Sequence, residues 1–87
     1  MANFEVIFKQ SVARDLRKIP KKDIVRILKR IDKLRTEPRP PGVEKLSGQE
    51  KYRIRQGVYR ILYEIQNDRL IVVVVKIGHR RDVYRSS

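Results

Sequence analysis

The chain has 87 residues, 22 of them Lys or Arg and 10 Asp or Glu, for a formal net charge of +12; 40% are hydrophobic. That proportion excludes a disordered basic tail, and the length predicts one small domain over residues 1–87 with a modest core. The lack of cysteine excludes disulfides, thiol catalysis and thiolate metal sites, and the longest apolar run, Leu70 to Val75, is too short for a bilayer. With no signal-peptide pattern at the start, the expected compartment is the cytoplasm and no membrane partner is expected.

In chain order, Asn3 to Lys9 alternates, with Phe4, Val6 and Phe8 on one side and Glu5, Ile7 and Lys9 on the other, which predicts a strand. Ser11 is placed to cap a helix in which Val12, Leu16 and Ile19 recur at helical spacing, and Pro20 breaks it. A second helix runs from Lys21 or Lys22 to about Arg35. Ile24, Ile27, Leu28, Ile31 and Leu34 form its apolar stripe, and Lys22, Arg26, Lys29 and Lys33 stack on the opposite side. The two helices should form an antiparallel hairpin lying on a sheet. Thr36 to Gly42 holds three of the four prolines and reads as a stiff connector; Val43 to Gly48 reads as a short turn.

Strand patterns take over from there. Lys51 to Gln56 puts Tyr52 and Ile54 on one face and Lys51, Arg53 and Arg55 on the other. Gln56-Gly57 signals a tight turn into Val58 to Ile65, where Tyr59, Ile61, Tyr63 and Ile65 alternate with Arg60, Leu62 and Glu64. Asn67-Asp68 turns into Leu70 to Ile77, which is apolar enough to require an interior strand, and Gly78 ends it. The predicted fold class is α+β in the order β-α-α-β-β-β, with the helical hairpin packed on one face of a mostly antiparallel sheet.

So large a positive charge on so small a body disfavours compaction, and nucleic acid is the common partner that relieves it. If Tyr59, Ile61 and Tyr63 face the helices, then Arg53, Arg55 and Arg60 face away from them, with Arg80 and Arg81 just past the last strand. Guanidiniums gathered on one surface suit a phosphodiester, whose oxygens match their planar fork; a merely solvated basic face, paired with Glu64 and Asp82, is the plain alternative. The basic helix stripe offers a supporting contact to RNA backbone. Cleavage would also need proton transfer. The titratable candidates are Tyr84, His79, Lys51 and Lys76. Positive surroundings favour the phenolate of Tyr84, and His79 has the best intrinsic pKa. No Gly-rich phosphate loop, HExxH or pair of nearby histidines is present, so no cofactor or metal is expected.

Tyr52-Arg53-Ile54-Arg55, then Tyr59-Arg60-Ile61-Leu62-Tyr63, then Gly78-His79-Arg80-Arg81-Asp82-Val83-Tyr84 resemble the RelE family within the RelE/ParE superfamily. The segment over residues 8–19 and Lys45-Leu46-Ser47-Gly48 also fit, so the resemblance covers nearly the whole chain. It implies a RelE-like toxin that works as a ribosome-dependent mRNA endoribonuclease, cutting in the decoding site and leaving a 2′,3′-cyclic phosphate and a 5′-hydroxyl. Arg60 and Arg80 fall on the family's phosphate-binding arginines, and Tyr84 on its catalytic tyrosine. Arg53 and Arg55 fall where the best-known member has lysines. Arginine effectively never gives up its proton. The leaving-group proton must then come from His79, Lys51, Lys76 or an rRNA-bound water, or cleavage is slow. Lys22, Arg26, Lys29, Lys33, Lys76 and Arg81 are the expected RNA contacts. The implied partners are the ribosome with mRNA and an acidic antitoxin whose extended segment wraps the toxin, giving a heterotetramer that reaches operator DNA only through the antitoxin. With the chain ending at Ser87, little or no final helix is expected beyond Tyr84. Two rival readings are a ParE-like toxin that binds DNA gyrase without cleaving RNA, and a non-toxic basic RNA- or ribosome-binding module.

Overall fold

The structure, a computed structural model, describes residues 3–46 and 50–81. Strand β1 (Glu5–Phe8) leads into helices α1 (Gln10–Leu16) and α2 (Lys21–Asp32), followed by strands β2 (Glu44–Leu46), β3 (Lys51–Gln56), β4 (Tyr59–Gln66) and β5 (Ile71–His79). The strands form one sheet in the order β1-β5-β4-β3-β2. Only β1 and β5 pair in parallel; the other pairs are antiparallel. The helices lie on one face, as their apolar stripes demand. Val12 and Ile19 on one side of Pro20 and Ile27, Ile31 and Leu34 on the other pack with Tyr52, Ile54, Ile61, Tyr63, Ile65, Val72, Val74 and Ile77. Each such aliphatic side chain, once fully buried, contributes about 1.5–3 kcal/mol. The apolar run of β5 lies between β1 and β4, as an interior strand should.

Several expectations are corrected. Val43 to Gly48 is not only a turn: Glu44–Leu46 is an edge strand, paired to β3 with Glu44 opposite Arg53. Ser11 lies inside α1, and Lys9 holds the N-cap position with no side-chain cap bond. The second helix is α-helical only to Asp32, and a 3₁₀ turn completes it over Lys33–Arg35. Leu28, on the apolar stripe of α2, and Phe8, on the same side of β1 as Phe4 and Val6, are 40% and 42% exposed, because both line a groove left between α1 and α2. Leu70 belongs to the turn, with a left-handed φ of 55°. Gly57, at φ 60°, opens the two-residue β3–β4 turn, where glycine takes that conformation without steric cost.

Gly78 does not end the last strand, which runs to His79. A register shift at Leu62/Tyr63 pairs Leu62 with Lys76 and Tyr63 with Val74, leaving Val75 as the extra residue. The side facing the helices therefore changes parity along β5. Val72 and Val74 point inward before the shift, Ile77 after it.

Candidate active site

The sheet face opposite α1 and α2 is built by period-two alternation. Because Tyr52, Ile54, Ile61 and Tyr63 are buried toward the helices, Arg53, Arg55 and Arg60 project from the other side. Arg55 and Arg60 are direct cross-strand partners, and Arg53 stands opposite Leu62. Two like charges in direct opposition are unfavourable in a sheet unless an anion lies between them. Arg60 is only 5% exposed although it stands on the face opposite α1 and α2.

One carboxylate bonds directly to Arg53. Glu44 Oε2 accepts a hydrogen bond from Arg53 Nη2 at 2.7 Å, the side chains being 44% and 16% exposed. That bond holds the Glu44 carboxyl below its ordinary range, and the charges of Arg53, Arg55 and Arg60 pull in the same direction. The three guanidiniums thus share one electrostatic neighbourhood. Sequence reasoning missed Glu44, since a residue assigned to a turn has no register; recognising the pairing of Glu44–Leu46 with β3 would have placed it beside Arg53.

The remaining candidates divide by face. Lys51 and Lys76 share the arginine side by register, bordering a hollow of about 300 Å³ that Leu46, Leu62 and, from α1, Ser11 and Asp15 also line, and Lys51 Nζ lies 3.7 Å from Glu64 Oε1. Arg80 is exposed, and its backbone N–H donates to Val58 O at 2.9 Å, placing it at the same end of the sheet as Arg55 and Arg60. Arg81 is exposed as well, its N–H donating to His79 Nδ1 at 3.3 Å. His79 is separated from the arginines. It stands opposite Tyr59 on the helix side, with ring centroids 6.3 Å apart and edge-on, beside a hollow of about 330 Å³ shared with Asp15, Lys18 and Lys76. Lys22, Arg26 and Lys29 are exposed on α2 and Lys33 on the 3₁₀ turn that follows it, across the sheet from the arginines. Tyr84, like Asp82, Ser47 and Gly48, lies outside the described residues.

Two tyrosines of the core have no acid–base use. Burial drives the phenol of Tyr63 far up, and its hydroxyl donates to Pro38 O at 2.7 Å. Tyr59 is raised by burial and then by Asp23. Among the described residues no group of three His, Cys, Asp or Glu could hold a metal ion, and no helix is long and apolar enough to cross a membrane.

Residues 6–84 match the family model described as the ParE toxin of the type II toxin–antitoxin system parDE. The chain belongs to the RelE/ParE family of type II toxins. It is 31% identical over 86 residues to toxin RelG of Mycobacterium tuberculosis, spanning 94% of this chain and 97% of that one. The RelE–RelB complex of Pyrococcus horikoshii contains a chain of the same fold, with a TM-score of 0.81 and 30% identity over 90% of the toxin and 96% of that chain. The toxin–antitoxin complex RelBE2 of M. tuberculosis gives a TM-score of 0.79 at 27% identity, covering 91% and 100% respectively. The α+β architecture expected of a RelE-like toxin is therefore the one observed, with one strand more than expected.

Proposed function

We propose that this toxin is a ribosome-dependent mRNA endoribonuclease that blocks translation by cutting the message in the decoding site. The observation that carries this reading is the placement of Arg53, Arg55 and Arg60 on the sheet face opposite α1 and α2, with Arg55 and Arg60 direct cross-strand partners and Arg60 nearly buried. Guanidiniums held by a rigid sheet need no reorganisation when charge builds on a phosphodiester, which is where electrostatic catalysis gains most.

In the proposed reaction the 2′-hydroxyl beside the scissile bond attacks phosphorus and loses its proton, with Tyr84 as the accepting base. The bond from phosphorus to the 5′-oxygen breaks, and that oxygen takes up a proton. The products are a 2′,3′-cyclic phosphate and a 5′-hydroxyl. Arg53, Arg55, Arg60 and Arg80 bear the charge that develops on the phosphoryl oxygens. Lys51 and Lys76, on the same face, are better placed than His79 to supply the leaving-group proton, and an rRNA-bound water is the other source. Lys22, Arg26, Lys29, Lys33 and Arg81 serve as secondary contacts to ribosomal RNA. An acidic, extended antitoxin of the RelB kind neutralises the toxin in the cytoplasm, in a heterotetramer that represses its own operon through the antitoxin.

Mapping RNA ends after a short pulse of expression tests this. The expected result is cuts confined to translated messages, with 5′-hydroxyl ends, lost in an Arg60→Gln variant. Cuts independent of translation, or ends bearing a 5′-phosphate, overturn it. A second reading, a toxin that acts on DNA gyrase and leaves RNA intact, draws on the ParE description of the family model and on arginine at positions 53 and 55. Inhibition of supercoiling by the purified toxin, without RNA cleavage, would establish that reading instead.

A further inference from the structure

Glu44 is an acidic group bonded directly to one of the arginines proposed to hold the substrate. It comes from the three-residue edge strand β2 and stands directly opposite Arg53 in the register. Its carboxylate Oε2 takes the Nη2–H of Arg53 at 2.7 Å. A carboxylate and a phosphodiester each present a pair of oxygens sharing one negative charge, and a guanidinium grips both in the same way. Glu44 thus imitates the anion. The two partners differ in commitment: the Arg53 side chain is 16% exposed, that of Glu44 44%. The arginine is held by the sheet, whereas the carboxylate can swing into water at little desolvation cost.

We propose that Glu44 is an internal counter-ion, holding the Arg53 guanidinium in the free toxin and surrendering it to an incoming phosphodiester. The proposal rests on the reading of this face as a phosphodiester site and names a control built into it. In the free protein Glu44 screens Arg53, Arg55 and Arg60 from one another. On binding, the phosphate takes over that role, and the exchange sets a threshold. A weakly held anion does not displace a carboxylate that is already in place, whereas an RNA strand fixed by further contacts does. The same side chain therefore supports the fold and opposes the ligand, so its removal should move stability and affinity in opposite directions.

The test uses the full-length toxin and a short single-stranded oligonucleotide with 2′-deoxy sugars, which binds without being cut. Its affinity is followed by fluorescence anisotropy over a potassium chloride series, alongside thermal melting. Glu44→Gln, nearly isosteric, is expected to bind about three- to ten-fold tighter at low salt while melting lower. Its plot of log affinity against log salt should steepen by about 0.7, one more phosphate being neutralised without an internal competitor. Glu5→Gln makes the same change in net charge on β1, at the opposite edge of the sheet, and should leave affinity within about two-fold. An equal gain from Glu5→Gln reduces the effect to net charge and overturns the proposal. Unchanged or weaker binding by Glu44→Gln, with Arg60→Gln still losing affinity, overturns it too but leaves the phosphodiester site standing. If Arg60→Gln also binds as the wild type does, the site reading itself fails.

Discussion

Arg39 and Glu44 stand at the centres of two polar clusters with inverse compositions. Arg39, on the proline-rich connector, is a cation among acceptors. Its Nε donates to Tyr52 Oη at 3.0 Å, its terminal nitrogens reach Asn67 Oδ1 and Glu50 Oε2, and its guanidinium lies 5.3 Å from the Tyr52 ring centre. Tyr52 in turn donates to Glu50 at 2.6 Å. Glu44 is an anion among cations, bonded to Arg53 and drawn also by Arg55 and Arg60. The first cluster balances its charge with local acceptors and fastens the connector to β3 and the β4–β5 turn. The second concentrates positive charge on the face opposite α1 and α2. Charge satisfied within the chain belongs to the fold; charge gathered at one point on an open face belongs to a ligand.

The comparison is broken most directly by neutralising one arginine in each cluster. Arg60→Gln should lower RNA cleavage by about two to three orders of magnitude, the usual cost of losing a preorganised donor to a developing oxyanion. Arg39→Gln should leave cleavage per folded molecule unchanged and lower stability by about 1 kcal/mol, as expected for partly exposed hydrogen bonds and ion pairs. Cleavage in a reconstituted translation system and urea unfolding read the two effects separately. Equal losses of activity would show that both clusters act on the substrate.

A smaller effect, confined to the structural side, is expected from Tyr63→Phe. The Tyr63 hydroxyl donates to Pro38 O, so the change leaves that carbonyl without its partner beside the Arg39 cluster. The expected loss is about 1–2 kcal/mol, and a domain of this size shifts its melting temperature by about 4–8 °C per kcal/mol. Cleavage should persist, because the side chain points toward the helices and away from Arg60. A Tyr63→Phe toxin that melts normally but fails to cleave would reverse the assignment.

How much of this was legible in the sequence depends on which pattern each residue obeys. Arg53, Arg55 and Arg60 could be placed on one face because β3 and β4 alternate without interruption until the register shift. His79 could not. Extending simple alternation from Val72 and Val74 turns Lys76 toward the helices and His79 toward the arginines. The extra residue at Val75 exchanges them, bringing Lys76 to the arginine face and His79 opposite Tyr59. The shift falls just beyond Val74, where pairing with β1 ends. It is thus a consequence of which strands meet, and no local propensity announces it. Glu44 was hidden for a related reason. Three residues carry no readable period, and only the pairing with β3 makes them a strand. Leu28 and Phe8 followed their stripes faithfully but face a groove between α1 and α2, a tertiary gap that periodicity does not register.

Acid sharpens the comparison further, through an effect smaller than the substitutions. Glu44 and Glu50 are both held below the ordinary carboxylate range, but by different donors. For Glu44 the main hold is the hydrogen bond from the charged Arg53; for Glu50 it is the hydrogen bond from the neutral Tyr52. A carboxylate whose folded pKa is depressed lends stability above its unfolded value, about 4.3, and loses it as pH falls through the lower folded value. Melting temperature should therefore decline as pH drops below about 5, and either Glu44→Gln or Glu50→Gln should flatten the decline. Salt separates the two contributions. Physiological ionic strength shrinks the range of charge interactions to about 8 Å, which weakens the pull of Arg55 and Arg60 on Glu44 more than a short bond to a neutral hydroxyl. Raising potassium chloride should thus remove the part of the Glu44→Gln difference owed to Arg55 and Arg60 and the part of the Glu50→Gln difference owed to Lys45 and Arg39, leaving the part owed to each short hydrogen bond. If salt leaves the Glu44→Gln difference unchanged, the carboxylate at the arginine face is held by its one hydrogen bond and not by the gathered charge.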